Sequence, residues 1–179
     1  MSNNTNQTER ARWWAEIQAG LAEPFSAEQV NWKPQKTWNL DNWDDKDKRN
    51  HTNALAVAYI DARLVADRLD AVFTPGGWQV EHRHEGEQLL TGLGVYDPFL
   101  DSWLWKWDGG HVDGHNDDQG QVTKGTLSDG LKRSAVLWGI GRYLYFLPRL
   151  SVPYDPRRRK LVRDPQLPEW ALPGGVGRP

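Results

Sequence analysis

Between Trp78 and Trp107 the chain repeats with a period of two residues, and no other feature restricts its fold as much. Trp78-Gln79-Val80-Glu81 alternates apolar with polar, Leu89 to Tyr96 is a second strand-forming run, and Trp103-Leu104-Trp105-Lys106-Trp107 sets three tryptophans on one face. A curved antiparallel meander is the simplest arrangement of three such runs. Helical patterns flank it. Upstream, Asp61 is placed to cap a helix from Ala62 to about Phe73, which Pro75-Gly76-Gly77 closes. Downstream, Leu127 to Pro148 reads as one helix, with an apolar stripe on one side and the adjacent cations Lys132 and Arg133 on another. Ser128 reads as a cap near the start of that helix.

The outer parts are less regular. Thr8 caps a first helix through about Ala22, with Trp14, Ile17 and Leu21 on one face, and Pro24 ends it. An extended piece from Val30 to Lys33 is expected to stop at Pro34, and Asn39 to Asn53 reads as a mobile polar loop. Ala54 to Ile60 suits a buried strand. The Gly- and Asp-rich link from Asp108 to Gly120 suits a hairpin tip or flexible connection, followed by a short strand near Gln121 to Thr123. After Pro148 the expected conformation is extended and surface-hugging, with Trp170 docked as an anchor. The expected organisation is one domain over residues 1–150 and an extended basic, proline-rich tail over 151–179.

A chain of 179 residues suits a single core. It has no cysteine, which excludes disulfides, thiolate zinc sites and cysteine nucleophiles and is compatible with a reducing cytosol. No apolar run is long enough to cross a bilayer, and the first ten residues lack the apolar core of a signal peptide. A cytoplasmic protein with no membrane partner is expected. No Gly-x-x-x-x-Gly-Lys-Ser/Thr loop occurs, so no nucleotide is expected as a partner.

The formal net charge of −2 would attract a polyanion weakly, but the cations are unevenly placed. From Lys124 to Arg163 stand Lys124, Lys132, Arg133, Arg142, Arg149, Arg157, Arg158, Arg159, Lys160 and Arg163, opposed only by Asp129 and Asp155. Such a track suits a phosphate backbone, the alternative being that its long cations merely solvate a helix and a tail. The run from Arg157 to Lys160 is either a second, flexible DNA contact or a solubilising stretch.

Eleven tryptophans are heavy usage for this length. Trp14, Trp78 and Trp138 sit in amphipathic patterns that suit the core. A face bearing Trp103, Trp105 and Trp107 lies under a helix, in a subunit contact or against bases, and burial is the favoured reading. His111, Asp113, His115, Asp117 and Asp118 are metal-binding residue types, but the glycines oppose a helix and the spacing fits neither a zinc protease motif nor a calcium loop. No metal or other cofactor is expected, and no serine, histidine and acid constellation can be assembled by motif.

Several blocks carry a resemblance. Tyr59-Ile60-Asp61-Ala62-Arg63 with Asp67 to Val72 and Trp78, Ser128-Asp129-Gly130-Leu131-Lys132-Arg133 with Gly139-Ile140-Gly141-Arg142-Tyr143-Leu144-Tyr145, and Leu167-Pro168-Glu169-Trp170-Ala171 resemble the DNA damage response protein A family of Deinococcus, within the Rad fifty-two and Rad twenty-two single-strand annealing superfamily. Trp32-Lys33-Pro34 adds scattered support. The resemblance implies an α+β fold with an antiparallel β-β-β-α core and flanking helices, assembled as an undecamer-type ring around which single-stranded DNA is held. It places Lys132 and Arg133 in the inner DNA site, with Lys124 eight residues earlier and Arg63 as the nearest match to a fourth contact. Arg142 joins them on chemical grounds, since its guanidinium suits phosphate.

The residues and the resemblance together predict sequence-independent binding of single-stranded DNA and ATP-independent annealing, and the resemblance alone implies ring assembly and protection of 3′ ends in double-strand-break repair. The expected partners are single-stranded DNA and further copies of the chain, and the expected location is the nucleoid. The protein is expected not to be an enzyme. A metal-dependent nuclease using loop 108–120 and a tryptophan-rich module for carbohydrate or protein are the alternatives.

Overall fold

Gly92 and Gly94 alternate with Thr91, Leu93 and Val95 along a central strand, and this alternation gives the sheet two unlike faces. The computed structural model describes residues 2–44, 46, 52–86, 88–110 and 124–175. In chain order its helices and strands are α1 (Ser2–Ala22), β1 (Asn31–Trp38), β2 (Asn53–Tyr59), α2 (Ala62–Phe73), β3 (Trp78–Glu85), β4 (Gln88–Asp97), β5 (Ser102–Gly110), α3 (Lys124–Trp138), β6 (Leu150–Asp155) and β7 (Lys160–Leu161). Short 3-10 turns occupy Leu40–Asp44, Arg142–Phe146 and Glu169–Ala171. Helices and antiparallel sheets give the mixed architecture expected. No described helix is long and apolar enough to cross a membrane.

The chain divides into two units. Unit 1 comprises Met1–Glu23 and Asp61–Arg142. Its sheet has the order β3-β4-β5, with both pairs antiparallel, and α3 packs on one face, so the order β-β-β-α is present. Asp61 caps α2 by accepting the Arg63 N–H at 2.9 Å, and the helix buries Val65, Leu69 and Phe73. Trp78 follows the turn after α2 and donates its indole N–H to Asp70 at 2.7 Å. Asp97 is buried at the end of β4. It accepts from Arg10 Nε at 2.8 Å, from Trp14 Nε1 at 3.0 Å and from the Phe99 N–H at 3.0 Å, so α1 is held to the meander by a paired charge.

Unit 2 comprises Pro24–Ile60 and Tyr143–Pro179, with a sheet of order β1-β2-β6-β7. Phe25, Val30, Ala54, Ala56, Val152, Tyr154 and Ala171 are buried, and the Tyr143 hydroxyl accepts the Phe25 N–H at 3.0 Å. Trp170 lies half-buried in the 3-10 turn beside Ala171.

Several boundaries differ from the sequence reading, each for a local reason. The helix expected to run to Pro148 ends at Trp138. Gly139 at φ 109° and Gly141 at φ 66° adopt left-handed backbone that cannot continue it. The same helix begins at Lys124, so Ser128 is one of its interior residues and not a cap. The first helix begins at Ser2, ahead of Thr8. Pro34 does not stop β1, because that strand pairs along β2 and shifts register between Pro34 and Thr37, where a missing N–H is tolerated. Leu150–Asp155 and Lys160–Leu161 are extended as expected, but they are paired strands. The strand expected at 121–123 lies outside the described residues.

Candidate nucleic-acid interface

The Asp129-Gly130-Leu131-Lys132-Arg133 segment is held on the sheet by its glycine. A Cβ on Gly130 would lie 2.1 Å from Thr91 Oγ1 and 2.9 Å from Thr91 Cβ, so only glycine lets α3 approach β4 this closely. Ser134 Oγ donates to the Thr91 carbonyl at 2.6 Å, and Trp138 Nε1 donates to the Leu93 carbonyl at 3.0 Å. Thr126, Gly130, Ser134, Ala135 and Trp138 form the buried side of the helix. The remaining sides carry the charge. Lys132 Nζ lies 3.8 Å from Asp129, with 29% of its side chain exposed. Arg133 donates to Asp108 Oδ1 from Nε at 3.1 Å and from Nη2 at 2.9 Å, and its side chain is 48% exposed.

Asp108 comes from β5, and Lys106, two residues earlier, shares its face. Lys106 Nζ donates to the Leu137 carbonyl at 2.9 Å and sits 4.2 Å from the Trp138 ring centre. Burial, then the charge of Arg142, pushes its ammonium below the usual lysine range. Arg142 itself donates from Nε to the Val136 carbonyl at 2.8 Å and from Nη2 to the Leu137 carbonyl at 2.6 Å. Two cations therefore satisfy the C-terminal carbonyls of α3, where the helix dipole favours positive charge.

The five predicted contacts all fall in unit 1. Lys132 and Arg133 are neighbours on α3, about 100° apart around its axis. Lys124, the exposed first residue of the helix, precedes Lys132 by about 12 Å along the axis and about 80° around it. Nine residues separate Lys124 from Arg133, so those two project from opposite sides, about 180° apart. Arg63 is exposed in the first turn of α2, a helix that packs against α3, and lies off its Val65, Leu69 and Phe73 stripe. Arg142 is exposed beyond the helix end, where its guanidinium is engaged by the carbonyls.

The opposite face of the same sheet carries the tryptophans. In the β4–β5 register Gly92 faces Trp107, Gly94 faces Trp105 and Tyr96 faces Trp103. A Cβ on Gly92 would meet the Trp107 ring at 2.7 Å and one on Gly94 the Trp105 ring at 2.9 Å, so both indoles lie over bare backbone. Their ring centres are 5.6 Å apart with planes 26° from parallel, and the Arg83 guanidinium lies 4.3 Å from the Trp107 centre. Each of the three tryptophans is only half-buried. Burial, the favoured expectation, is incomplete within unit 1, where α3 occupies the other face of the sheet. Trp14, Trp78 and Trp138 are structural as expected, each indole N–H finding an acceptor in the protein.

Two curated proteins named single-stranded DNA-binding protein DdrA are similar to this chain. The one from Deinococcus deserti is 36% identical over 173 residues, covering 89% of this chain and 71% of the relative. The one from Deinococcus radiodurans is 37% identical over 161 residues, covering 89% of this chain and 69% of the relative. The chain belongs to the DdrA family. No protein-family model and no solved structure matches it. Family membership agrees with the resemblance read from the two motif blocks, which in this member of the DdrA family run from the end of β2 through α2 to the start of β3, and along α3 into its C-terminal turns.

Sequence reasoning did not single out Lys106. The strand signal was present, since the alternation that put Trp105 and Trp107 on one face put Lys106 and Asp108 on the other, but the helix end that Lys106 meets was hidden while the helix was expected to run on to Pro148. The loop with His111, Asp113, His115, Asp117 and Asp118 lies outside the described residues. Among the described residues no group of three or more His, Asp or Glu is placed to hold a metal ion.

Proposed function

We propose that this DdrA-family chain binds single-stranded DNA without sequence preference and promotes annealing of complementary strands without nucleotide hydrolysis. One observation carries the reading: Lys132 and Arg133 stand side by side on a helix pinned to the sheet through Gly130 and Thr91. Phosphates are what all sequences share, so cations on a rigid support give affinity without reading bases. The two relatives are named for binding single-stranded DNA, which supplies the polymer. Lys124, Arg63 and Arg142 extend the contact in this proposal. A protein that holds the backbone and leaves base edges open lowers the entropic cost of pairing.

Protection of 3′ ends in double-strand-break repair, assembly into a ring, a nucleoid location and the absence of catalysis are parts of the same proposal. The Lys132→Glu, Arg133→Glu chain, compared with wild type on labelled oligonucleotides across a salt series, tests it. The expected result is a collapse of affinity and of annealing rate, with a shallower salt slope. Full binding by the double variant would overturn the assignment. Cleavage of a labelled single strand by wild-type protein with magnesium or manganese would favour the nuclease reading instead.

A further inference from the structure

The two units differ in charge. Unit 2 contains twelve Lys and Arg against eight Asp and Glu, whereas unit 1, which carries α3, contains ten against sixteen. Much of the excess in unit 2 is concentrated at the turn between β6 and β7, Asp155-Pro156-Arg157-Arg158-Arg159-Lys160. All four cations of this turn are exposed.

The turn is built, not merely solvated. Asp155 Oδ1 accepts the Arg157 N–H at 2.9 Å and the Arg158 N–H at 3.0 Å, and Pro156 fixes its own φ between them. Arg159 adopts φ 54°, a left-handed conformation that favours glycine or asparagine. A run that served only solubility would not require a cation at a position where backbone preference opposes it. The neighbouring carboxylates leave the tip positive. Arg158 Nε is 3.8 Å from Asp155, and Arg157 pairs with Asp44 at a site where both side chains are mostly exposed, so water and salt weaken that pair. β7 runs close to β1, whose exposed Lys33 and Lys36 add to the positive surface.

We propose that the β6–β7 turn is a phosphate-binding site for single-stranded nucleic acid, made of residues different from those on α3. The identity of the polyanion rests on the single-strand reading given above. Guanidinium groups suit phosphate because their paired donors match its oxygens. Residues 156–160 include no aromatic or aliphatic side chain other than proline that could enter a bilayer, which favours nucleic acid over a lipid surface.

The test uses the full chain and the triple variant Arg158→Ser, Arg159→Gly, Lys160→Ser, which keeps Asp155 and Pro156 and places glycine where φ is positive. Binding of a fluorescent oligothymidylate is measured by anisotropy across a potassium chloride series. The plot of log affinity against log salt should become shallower by about 2, since each phosphate contact on a single strand contributes about 0.7. The variant Arg158→Lys, Arg159→Lys should retain the wild-type slope. An unchanged slope in the triple variant overturns this site and leaves the α3 reading standing, whereas failure of the wild-type chain to bind oligothymidylate defeats both. Wild-type binding to phosphatidylserine vesicles that the triple variant loses, with oligothymidylate binding unaffected, assigns the turn to membranes and also overturns it.

Discussion

Arg133 on α3 reaches Asp108 on β5, both of its donors meeting the same carboxylate oxygen. The arginine side chain is 48% exposed, so the pair is of the surface kind and contributes about 0 to 1 kcal/mol to stability. Its larger effect falls on a ligand, because Asp108 places a negative charge where a phosphate is proposed to approach. Asp108→Asn should therefore tighten oligothymidylate binding by about 2- to 5-fold at low salt, a difference that shrinks as salt screens the carboxylate. Weaker binding by this variant at low salt would show instead that Asp108 aims the guanidinium.

The seat of α3 on the sheet makes a different demand. Gly130→Ala would put a methyl group 2.1 Å from Thr91 Oγ1, and Thr91 is itself buried, so neither side can yield cheaply. The expected loss is about 1 to 3 kcal/mol in chemical unfolding. Because the strain is shared, Gly130→Ala combined with Thr91→Ala should be more stable than the sum of the two single effects predicts, a coupling that a double-mutant cycle reads directly.

The ion pair that holds α1 depends on pH. Burial alone would push Asp97 up, but Arg10, Trp14 and the Phe99 N–H outweigh it and hold the carboxyl below its usual range. The folded state therefore binds this proton less readily than the unfolded chain does. The resulting stability is complete above the unfolded value of about 4 and is lost as pH falls through the folded value. Asp97→Asn should cost about 3 kcal/mol at neutral pH, the low end for a broken buried pair because Arg10 keeps 35% exposure. Urea midpoints measured from pH 7 downward should converge for the two proteins in acid. Parallel curves would remove Asp97 as the titrating group.

Local chemistry fixed what sequence reasoning could find. Asp61 as a cap and Pro75-Gly76-Gly77 as a stop are signals complete within a few residues, and α2 appears as expected. Leu127 to Pro148 failed as a single helix because apolar periodicity continues through Gly139 and Gly141, while the left-handed backbone at those glycines is not visible in a hydrophobic pattern. The α3 cations were legible as a motif. Their partners were not, since Asp108 and Arg133 meet only through strand register and helix docking, across 25 residues of chain. The Asp155 turn was hidden for the opposite reason: a run of four cations dominates the composition there, and the Asx geometry beneath it exists only in the folded chain.

The tryptophan face offers the last prediction. Trp107 lies over Gly92 closely enough that a Cβ would meet its ring at 2.7 Å, and the indole is pressed from its other neighbours by Trp105 and the Arg83 guanidinium. Gly92→Ala leaves the backbone of a central strand unchanged in kind, so the ring must lift, because alanine in place of glycine is otherwise mildly favourable in a strand. Lifting gives up the ring's contact with β4 and part of the cation–π attraction, which at an exposed site is about 0.5 to 1 kcal/mol. The expected outcome is a loss of about 1 to 2 kcal/mol in stability together with a shift of the Trp107 indole N–H resonance, while Trp138, on the α3 face, keeps its own. Oligonucleotide affinity should be unchanged, since the proposed phosphate contacts lie on α2, on α3 with the turn that follows it, and at the β6–β7 turn, and none lies on the tryptophan face. A Gly92→Ala protein that folds with normal stability yet loses oligonucleotide binding would show that bases stack on these indoles.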